Sequence, residues 1–388
     1  MKVLQVIDSL GMGGAEVLVA QLHARFRERG IECEYYLLRS ENSELEKGLL
    51  AQGARIHAPL KAPVYSPGHV MTLRAHLRAS SYDVVHVHLF PAQLWAAIAA
   101  RLTNSAGKLI TTEHSTTNRR RRRWIRALDR FQYAAYRRIV CISAATLTDL
   151  VQWLPEVSGK VVEVPNGIDV DRFAFASALD KKEAFSIADE NLPVVLAVGR
   201  LEDVKDHESL MRAISAIPNV HLAIVGTGIL LGKLSQLAET LGISDRLHFL
   251  GARSDVSRLL KTADIYAQPS RWEGLSMAVL EALASGSPIV ASNVAGLAEV
   301  VADAGLLFPA GDHAQLAICL RRLLEDPELR QRLSRAARER AQAFSIVKTR
   351  DCYEKLYRKL VESAIVTEMP AIASGISPDP WSHSSSPH

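Results

Sequence analysis

Cysteine is scarce, at four residues in 388, and aromatic residues make up only 6% of the chain. Cys33, Cys141, Cys319 and Cys352 are scattered, with neither a C-x-x-C nor a histidine spacing suited to zinc. That excludes a disulfide framework and a structural zinc site. No apolar run approaches the roughly 18 residues that span a bilayer. The longest, near residues 94–102, is the size of one helix and contains Arg101. No secretory apolar region fits before Asp8, so a cytoplasmic protein is expected, free or peripheral on the membrane's inner face. Glycine and proline, 22 and 16, are too few for a fibrous or low-complexity chain. No sign of charge dominates, with 46 basic residues against 42 acids. The imbalance is local: residues 1–165 hold 22 basic against 14 acidic side chains, and the remainder 24 against 28. Only the front half is therefore expected to meet an anionic partner.

What is present is alternation. Short apolar runs at residues 3–8, 33–38, 84–87, 108–112, 138–142 and 161–164 read as strands, with helical patterns between most of them. A second series runs through 194–199, 220–226, 246–250, 265–268, 288–291 and 304–308. Such alternation predicts an α/β protein with two doubly wound parallel sheets, each covered on both faces. Pro165-Asn166-Gly167-Ile168-Asp169 is a turn between the series. The pattern divides the chain into a first domain over 1–168 and a second over 169–345, the latter ending in two helices split at Asp326-Pro327. A helix over 346–365, with Tyr353, Leu356, Tyr357 and Leu360 on one face, is expected to return to the first domain. The Ser-, Pro- and His-rich residues 366–388 read as a disordered tail.

The first strand runs into Gly11-Met12-Gly13-Gly14 and a helix. In a dinucleotide-binding G-x-G-x-x-G the third glycine would stand at Glu16, where a glutamate crowds the helix–strand contact and sets negative charge beside a pyrophosphate. What survives is a loop whose amides, with the helix N-terminus, can approach an anion. In the second half, Arg200 and Lys205 follow the strand ending at Gly199, at the edge where parallel sheets bind ligands. Two fixed cations there suit a phosphate or diphosphate. Arg271-Trp272-Glu273-Gly274-Leu275-Ser276-Met277 then leads into a helix containing Glu281, an E-x7-E spacing. Amides near Leu275, Ser276 and Met277 offer anion-binding donors. Glu273 can accept from sugar hydroxyls, and Glu281, about two turns into the helix, can reach a ribose diol.

Other short motifs stand in order with these: Gly13-Gly14-Ala15-Glu16, Asp83-Val84-Val85-His86-Val87-His88, Thr112-Glu113-His114, Cys141-Ile142-Ser143, Gly226-Thr227-Gly228 and Pro269-Ser270. The ordered set, over roughly residues 1–360, resembles the retaining glycosyltransferases of family 4, the group 1 glycosyl transferases. The resemblance implies a GT-B fold, two Rossmann-like domains facing across a cleft, with acceptor on the first and nucleotide-sugar on the second. It implies that Arg200 and Lys205 hold and stabilise the leaving diphosphate, Glu273 the transferred sugar and Glu281 the ribose. It puts His114 beside the donor sugar, and Glu16 and His88 on the acceptor side. Gly13, Gly14, Gly274, Leu275, Ser276 and Met277 would complete the cradle, and the base would rest near Gly226, Gly228, Arg253 and Val256. The implied reaction moves a hexose or N-acetylhexosamine, with retention, from a UDP-linked donor to a glycan or lipid-linked acceptor. Fixed cations can serve a diphosphate without a metal, so no metal or other cofactor is expected.

Alternatives stay open beside this reading. A nucleotide-sugar epimerase of the same fold would share the donor site and need no acceptor. A nicotinamide oxidoreductase would use residues 11–16, and a two-lobed sugar-binding protein would normally carry a secretion signal. Asp169-Val170-Asp171 has the metal-binding D-x-D form, but in an interdomain turn. His86 and His88 share a strand face and could ligate a metal, without an evident third ligand. Arg119, Arg120, Arg121, Arg122 and Arg123 precede Trp124, Leu128 and Phe131, spaced i, i+4, i+7. That basic amphipathic helix either packs with solvated arginines or docks on anionic lipid. No nucleic-acid module accompanies it. Ala295-Gly296 stands where family members often carry a Gly-Gly pair.

Overall fold

The computed structural model describes residues 1–11, 13–103, 106–114, 125–187 and 189–368. Seven strands form the first sheet: β1 (Lys2–Ile7), β2 (Glu32–Leu37), β3 (Arg55–His57), β4 (Val84–His88), β5 (Leu109–Glu113), β6 (Arg138–Cys141) and β7 (Val161–Glu163). They are parallel, in the order β3-β2-β1-β4-β5-β6-β7. The helices between them are α1 (Gly14–Arg27), α2 (Glu44–Ala51), α3 (Gly68–Ala79), α4 (Ala92–Arg101), α5 (Arg126–Ala134) and α6 (Ala144–Trp153). β4 and β5 are buried along their whole length, as a strand covered on both faces must be.

Two short helices, α7 (Val170–Ala174) and α8 (Lys181–Phe185), lead into the second sheet. Its strands are β8 (Val194–Val198), β9 (His221–Val225), β10 (Leu247–Gly251), β11 (Ile265–Gln268), β12 (Ile289–Ser292) and β13 (Gly305–Phe308). These are also parallel, in the order β10-β9-β8-β11-β12-β13. The accompanying helices are α9 (His207–Ser215), α10 (Leu231–Leu241), α11 (Val256–Thr262), α12 (Met277–Ser285), α13 (Ala295–Val301), α14 (His313–Glu325) and α15 (Pro327–Ala341). Asp326 separates the last two and caps α15, its carboxylate accepting the Leu329 amide at 2.8 Å. Two doubly wound α/β domains thus make the GT-B architecture.

Twelve of the thirteen strands fall on the expected apolar runs; β3 does not. It has three residues, Arg55-Ile56-His57, at a sheet edge, too short for any period to show.

The chain crosses between the domains twice, at adjacent points. Ile168 bridges Ser345, with the Ile168 amide donating to Phe344 O at 2.9 Å and the Ile346 amide to Ile168 O at 2.8 Å. A Cβ on Gly167 would fall 2.4 Å from Thr349 Oγ1 and 2.6 Å from Ser345 O, so only glycine fits between the crossings. Beyond them α16 (Ile346–Glu368) lies on the first domain, with Tyr353 and Tyr357 buried near Phe26 of α1. It runs past the expected end at 365. Residues 369–388 of the expected tail and residues 115–124 with the arginine run lie outside the described residues. Among those described, no helix is long and apolar enough to cross a membrane.

In both sheets the strand order reverses beside the first strand, between β1 and β4 and between β8 and β11. Ligands of open α/β sheets bind outside the carboxyl ends at such points. The loop after β1 carries Gly11 and Gly13, β4 ends in His88, and the loops after β8 and β11 carry Arg200, Lys205 and Glu273.

Candidate active site

The second switch point is built from two loops. After β8 come Arg200 and Lys205, and after β11 come Ser270, Arg271 and Glu273. Lys205 and Glu273 form an ion pair, their side chains only 16% and 13% exposed. Ser270 Oγ donates to Glu273 Oε1 at 2.9 Å, Gln268 Nε2 donates to Ser270 Oγ at 2.7 Å, and Tyr266 OH donates to Gln268 Oε1 at 2.5 Å. Tyr266, Gln268 and Ser270 are all buried, so this line of donors fixes the carboxylate from behind. The loops are latched a second time. The Arg271 amide donates to Val204 O at 2.9 Å, and its guanidinium pairs at 3.1 Å with buried Asp206. Asp206 sits in the left-handed region at φ 49°, where a short acidic side chain is tolerated, and accepts Ser209 Oγ at 2.9 Å.

Arg200 is exposed and pairs with Glu202 at 2.8 Å, leaving its guanidinium toward solvent. Its carbonyl accepts His207 Nε2–H at 3.2 Å, and burial pushes His207 down to about 4. Glu281, half-buried on α12, is pushed up to about 7 by burial, with the Arg172 guanidinium pulling the other way. It forms no hydrogen bond or ion pair with the described residues.

Gly226 and Gly228 are glycines for a backbone reason. At φ 140° a Cβ on Gly226 would fall 2.0 Å from Gly199 O, and one on Gly228 would fall 2.4 Å from Leu201 O. They let the loop after β9 lie on the loop carrying Arg200, with Leu201 N donating to Thr227 O at 2.9 Å. Arg253 is held in a two-pronged pair with Asp255 at 2.8 and 2.6 Å, just before Val256 opens α11. Gly296 serves likewise: a Cβ there would fall 2.2 Å from Glu273 O, whereas Ala295 is exposed.

The first domain meets this site directly. A Cβ on Gly14 would touch Met277 Cγ at 3.2 Å, which sets the Gly13-Gly14 loop opposite the start of α12. Ser143 Oγ donates across the domains to Gly274 O at 2.9 Å. Burial raises the Glu16 carboxyl above its ordinary value, and the Arg200 charge draws it back. Gly13, Gly14, Glu16, Arg200, Lys205, Glu273, Gly274 and Met277 therefore border one cleft, with Leu275 buried and Ser276 just before α12 beside it.

The first switch point is lined differently. His88 Nδ1 lies 3.2 Å from His114 Nε2, and His88 Nε2 donates to Gln5 Oε1 at 2.9 Å. Burial pushes His114 down to about 4 and holds His86 and His88 well below the usual imidazole range. These rings are neutral at physiological pH.

Two metal-binding alternatives weaken. The Asp169 carboxylate accepts the Arg172 amide at 3.3 Å and pairs with Arg25 at 3.3 Å, so the D-x-D serves a helix cap and the domain crossing. His86 is bonded to Tyr357 and Thr112, both at 2.7 Å. Glu34, His57 and His76, at the edge of the first sheet, bring one ligand atom each within 4.8 Å of one another. Lys2 at 2.9 Å and Arg55 at 3.1 Å already neutralise that carboxylate, so a cation would meet net positive charge.

Sequence reasoning missed Tyr266, Gln268, Ser270's bond, Asp206 and Arg271. One signal existed: Tyr266 and Gln268 are polar groups at period two in a strand otherwise read as core.

Residues 12–172 match the family model described as Glycosyltransferase Family 4, and residues 180–340 that of Glycosyl transferases group 1. The UDP-Gal:alpha-D-GlcNAc-diphosphoundecaprenol alpha-1,3-galactosyltransferase of Escherichia coli is 28% identical over 306 residues, covering 75% of this chain and 79% of its own. The phosphatidyl-myo-inositol mannosyltransferase of Mycolicibacterium smegmatis is 28% identical over 353 residues, 86% of each chain. Among solved structures, Anabaena HepE in complex with UDP superposes with a TM-score of 0.80 at 21% identity, over 92% of this chain and 100% of that one.

Proposed function

Since this chain belongs to glycosyltransferase family 4, we propose that it moves a hexose or N-acetylhexosamine, with retention, from a UDP-sugar to a glycan or lipid-linked acceptor. The observation that carries this is the pairing of Lys205 with Glu273 at the mouth of a cleft that Arg200 and the start of α12 also border. A diphosphate entering there takes Lys205 from its carboxylate partner, and Glu273 is released to accept from the sugar's hydroxyls. Glu281 accepts from the ribose diol. UDP as the nucleotide is supported by HepE, solved with UDP, and by the E. coli relative, named for UDP-Gal.

The acceptor hydroxyl oxygen bonds to the anomeric carbon on the face from which the diphosphate leaves. The acceptor's proton passes to the departing phosphate oxygen, and the products are a glycoside and UDP. No enzyme nucleophile enters. Arg200, Lys205 and the first amides of α12 stabilise charge as it develops on the diphosphate, and catalysis rests on that and on positioning. With two cations supplying that charge, the reaction needs no metal.

A lipid-linked acceptor is supported by the names of the two relatives, a diphosphoundecaprenol galactosyltransferase and a phosphatidyl-inositol mannosyltransferase. The surplus of basic residues in the first half suits such an acceptor. So does α5, just past the arginine run, which leaves Leu128 and Phe131 37% and 44% exposed. We read this face as docking on anionic lipid.

The test is nucleotide release from UDP-, GDP- and ADP-sugars with EDTA present, with and without undecaprenyl-diphosphate-linked and phosphatidylinositol acceptors. UDP release from one UDP-sugar is expected. Release that requires a divalent ion overturns metal independence, and interconversion of the sugar without acceptor identifies an epimerase. Charge reversal at Arg120, Arg121 and Arg122 should abolish co-sedimentation with anionic vesicles; unchanged binding removes the membrane face.

A further inference from the structure

Strands bury polar side chains only when something bonds them. β1, β4 and β5 bury Gln5, His86, His88 and Thr112, and α16 adds the hydroxyls of Tyr353 and Tyr357. These form one connected line. Tyr357 OH meets His86 Nδ1 at 2.7 Å and accepts Gln5 Nε2–H at 3.4 Å. His86 Nε2 meets Thr112 Oγ1 at 2.7 Å, and Thr112 meets Tyr353 OH at 3.2 Å. From Gln5 the line continues to His88 and then to His114, at the end of β5. There it stops: His114 Nδ1 is buried with no partner among the described residues.

The rings of His86 and His88 lie 4.1 Å apart and those of His88 and His114 5.4 Å; burial keeps all three neutral, and repulsion from the neighbouring rings adds to it for His86 and His88. A neutral imidazole has one donor and one acceptor, and each ring therefore dictates the next. Gln5 Oε1 accepts, so His88 carries its proton on Nε2 and offers a lone pair at Nδ1. His114 must then donate from Nε2, which leaves Nδ1 as a bare lone pair. Turning the Gln5 amide over would reverse each step and strand a buried N–H at the same atom.

We propose that Gln5 and His88 are positioning residues that set the tautomer of His114, so that its Nδ1 accepts a hydrogen bond from a ligand hydroxyl at the end of β5. The hydroxyl rests on the donor-sugar reading above; the tautomer does not.

The full-length chain labelled with 15N-histidine and examined by long-range 1H–15N correlation tests both parts. His114 is assigned from the signals missing in His114→Gln. A lone-pair nitrogen at Nδ1 and a protonated Nε2 are expected on His114 in the unsubstituted protein, and the opposite pattern overturns the proposal without any variant. Gln5→Leu removes the acceptor and should mix the tautomers, whereas Gln5→Glu, which can only accept from His88, should preserve them. An unchanged His114 pattern in folded Gln5→Leu also overturns it. With UDP-sugar, Gln5→Leu should raise KM about tenfold, with UDP affinity unchanged and Gln5→Glu restoring the KM. Mixed tautomers with an unchanged KM would overturn the sugar contact and leave the tautomer assignment standing, which keeps the two failures apart.

Discussion

The two switch points share a topology and differ in the polar groups they bury. Between β1 and β4 the buried polar groups are His86, His88 and Gln5, with His114 beyond, all held neutral. Between β8 and β11 they are ion pairs, Lys205 with Glu273 and Arg271 with Asp206. The difference follows from what lies behind each end. The first is backed by side chains of its own sheet and by α16, and the Asp8 carboxylate beside it accepts the Ala92 amide at 2.9 Å. The second stands on two loops that latch to each other. Neutral imidazoles suit a hydroxyl and an ion-paired end suits a diphosphate, so on the function proposed above the two ends would hold different parts of one donor.

The largest effect should come from removing the charge. Lys205→Ala is expected to lower kcat/KM on the order of a thousandfold, since a cation on a leaving diphosphate acts mostly in the transition state. It also leaves the nearly buried Glu273 carboxylate without its cation. If folded Lys205→Ala retains kcat/KM within threefold, measured by UDP release, the charged end is not where the reaction occurs.

Next is the line behind Glu273. Gln268→Leu strands Tyr266 OH in the core, takes one donor from Ser270 Oγ, and should cost about 1–3 kcal/mol of stability. If the line positions Glu273, kcat should also fall about tenfold. The Tyr266→Phe/Gln268→Leu double variant also removes the stranded hydroxyl. It should recover much of the stability by urea unfolding and none of the kcat. Joint recovery would make the line purely structural.

This contrast marks how far the sequence could be read. Strand ends were legible because parallel strands buried on both faces are continuous apolar runs, and the loops after them carried Gly13, Arg200, Lys205 and Glu273 in a recognisable order. The pairing of Lys205 with Glu273 was not, because it joins residues 68 apart through the β8–β11 neighbourhood, which only the strand order creates. The same holds for Gln5 and Tyr357, 352 residues apart. His86 and His88 could be placed on one face by their period of two, but not joined to His114, which belongs to another strand. The edge strand β3 had no pattern to read.

Glu281 offers a pH test of the charged end. Its carboxyl titrates at about 7 in the folded chain against an ordinary value of 4.5. Between those values the unfolded chain holds fewer protons at this site, so its contribution to stability falls as pH rises through that window and levels off above 7. The unfolding midpoint of Glu281→Gln should gain on that of the unsubstituted chain over that range. Donor KM should move the other way, improving as the carboxylate forms and can accept from the ribose diol. A KM flat across pH 6 to 8 in the unsubstituted chain removes Glu281 from the ribose.

The smallest expected effect tests whether the two ends work as one site. Ser143 Oγ belongs to the first domain and its acceptor, Gly274 O, follows Glu273 in the second. Ser143 also caps α6, accepting the Thr146 amide at 3.2 Å, so Ser143→Ala alone would confound a cap with a domain contact. Ser143→Asp separates them. An aspartate caps the helix as well as serine, yet its carboxylate repels the Gly274 carbonyl instead of donating to it. If the bond holds the domains at the productive spacing, folded Ser143→Asp should raise donor KM about threefold, with Ser143→Thr near normal. Equal KM values for Asp and Thr would mean that the two ends are aligned by the crossings at Ile168 and Ser345 alone.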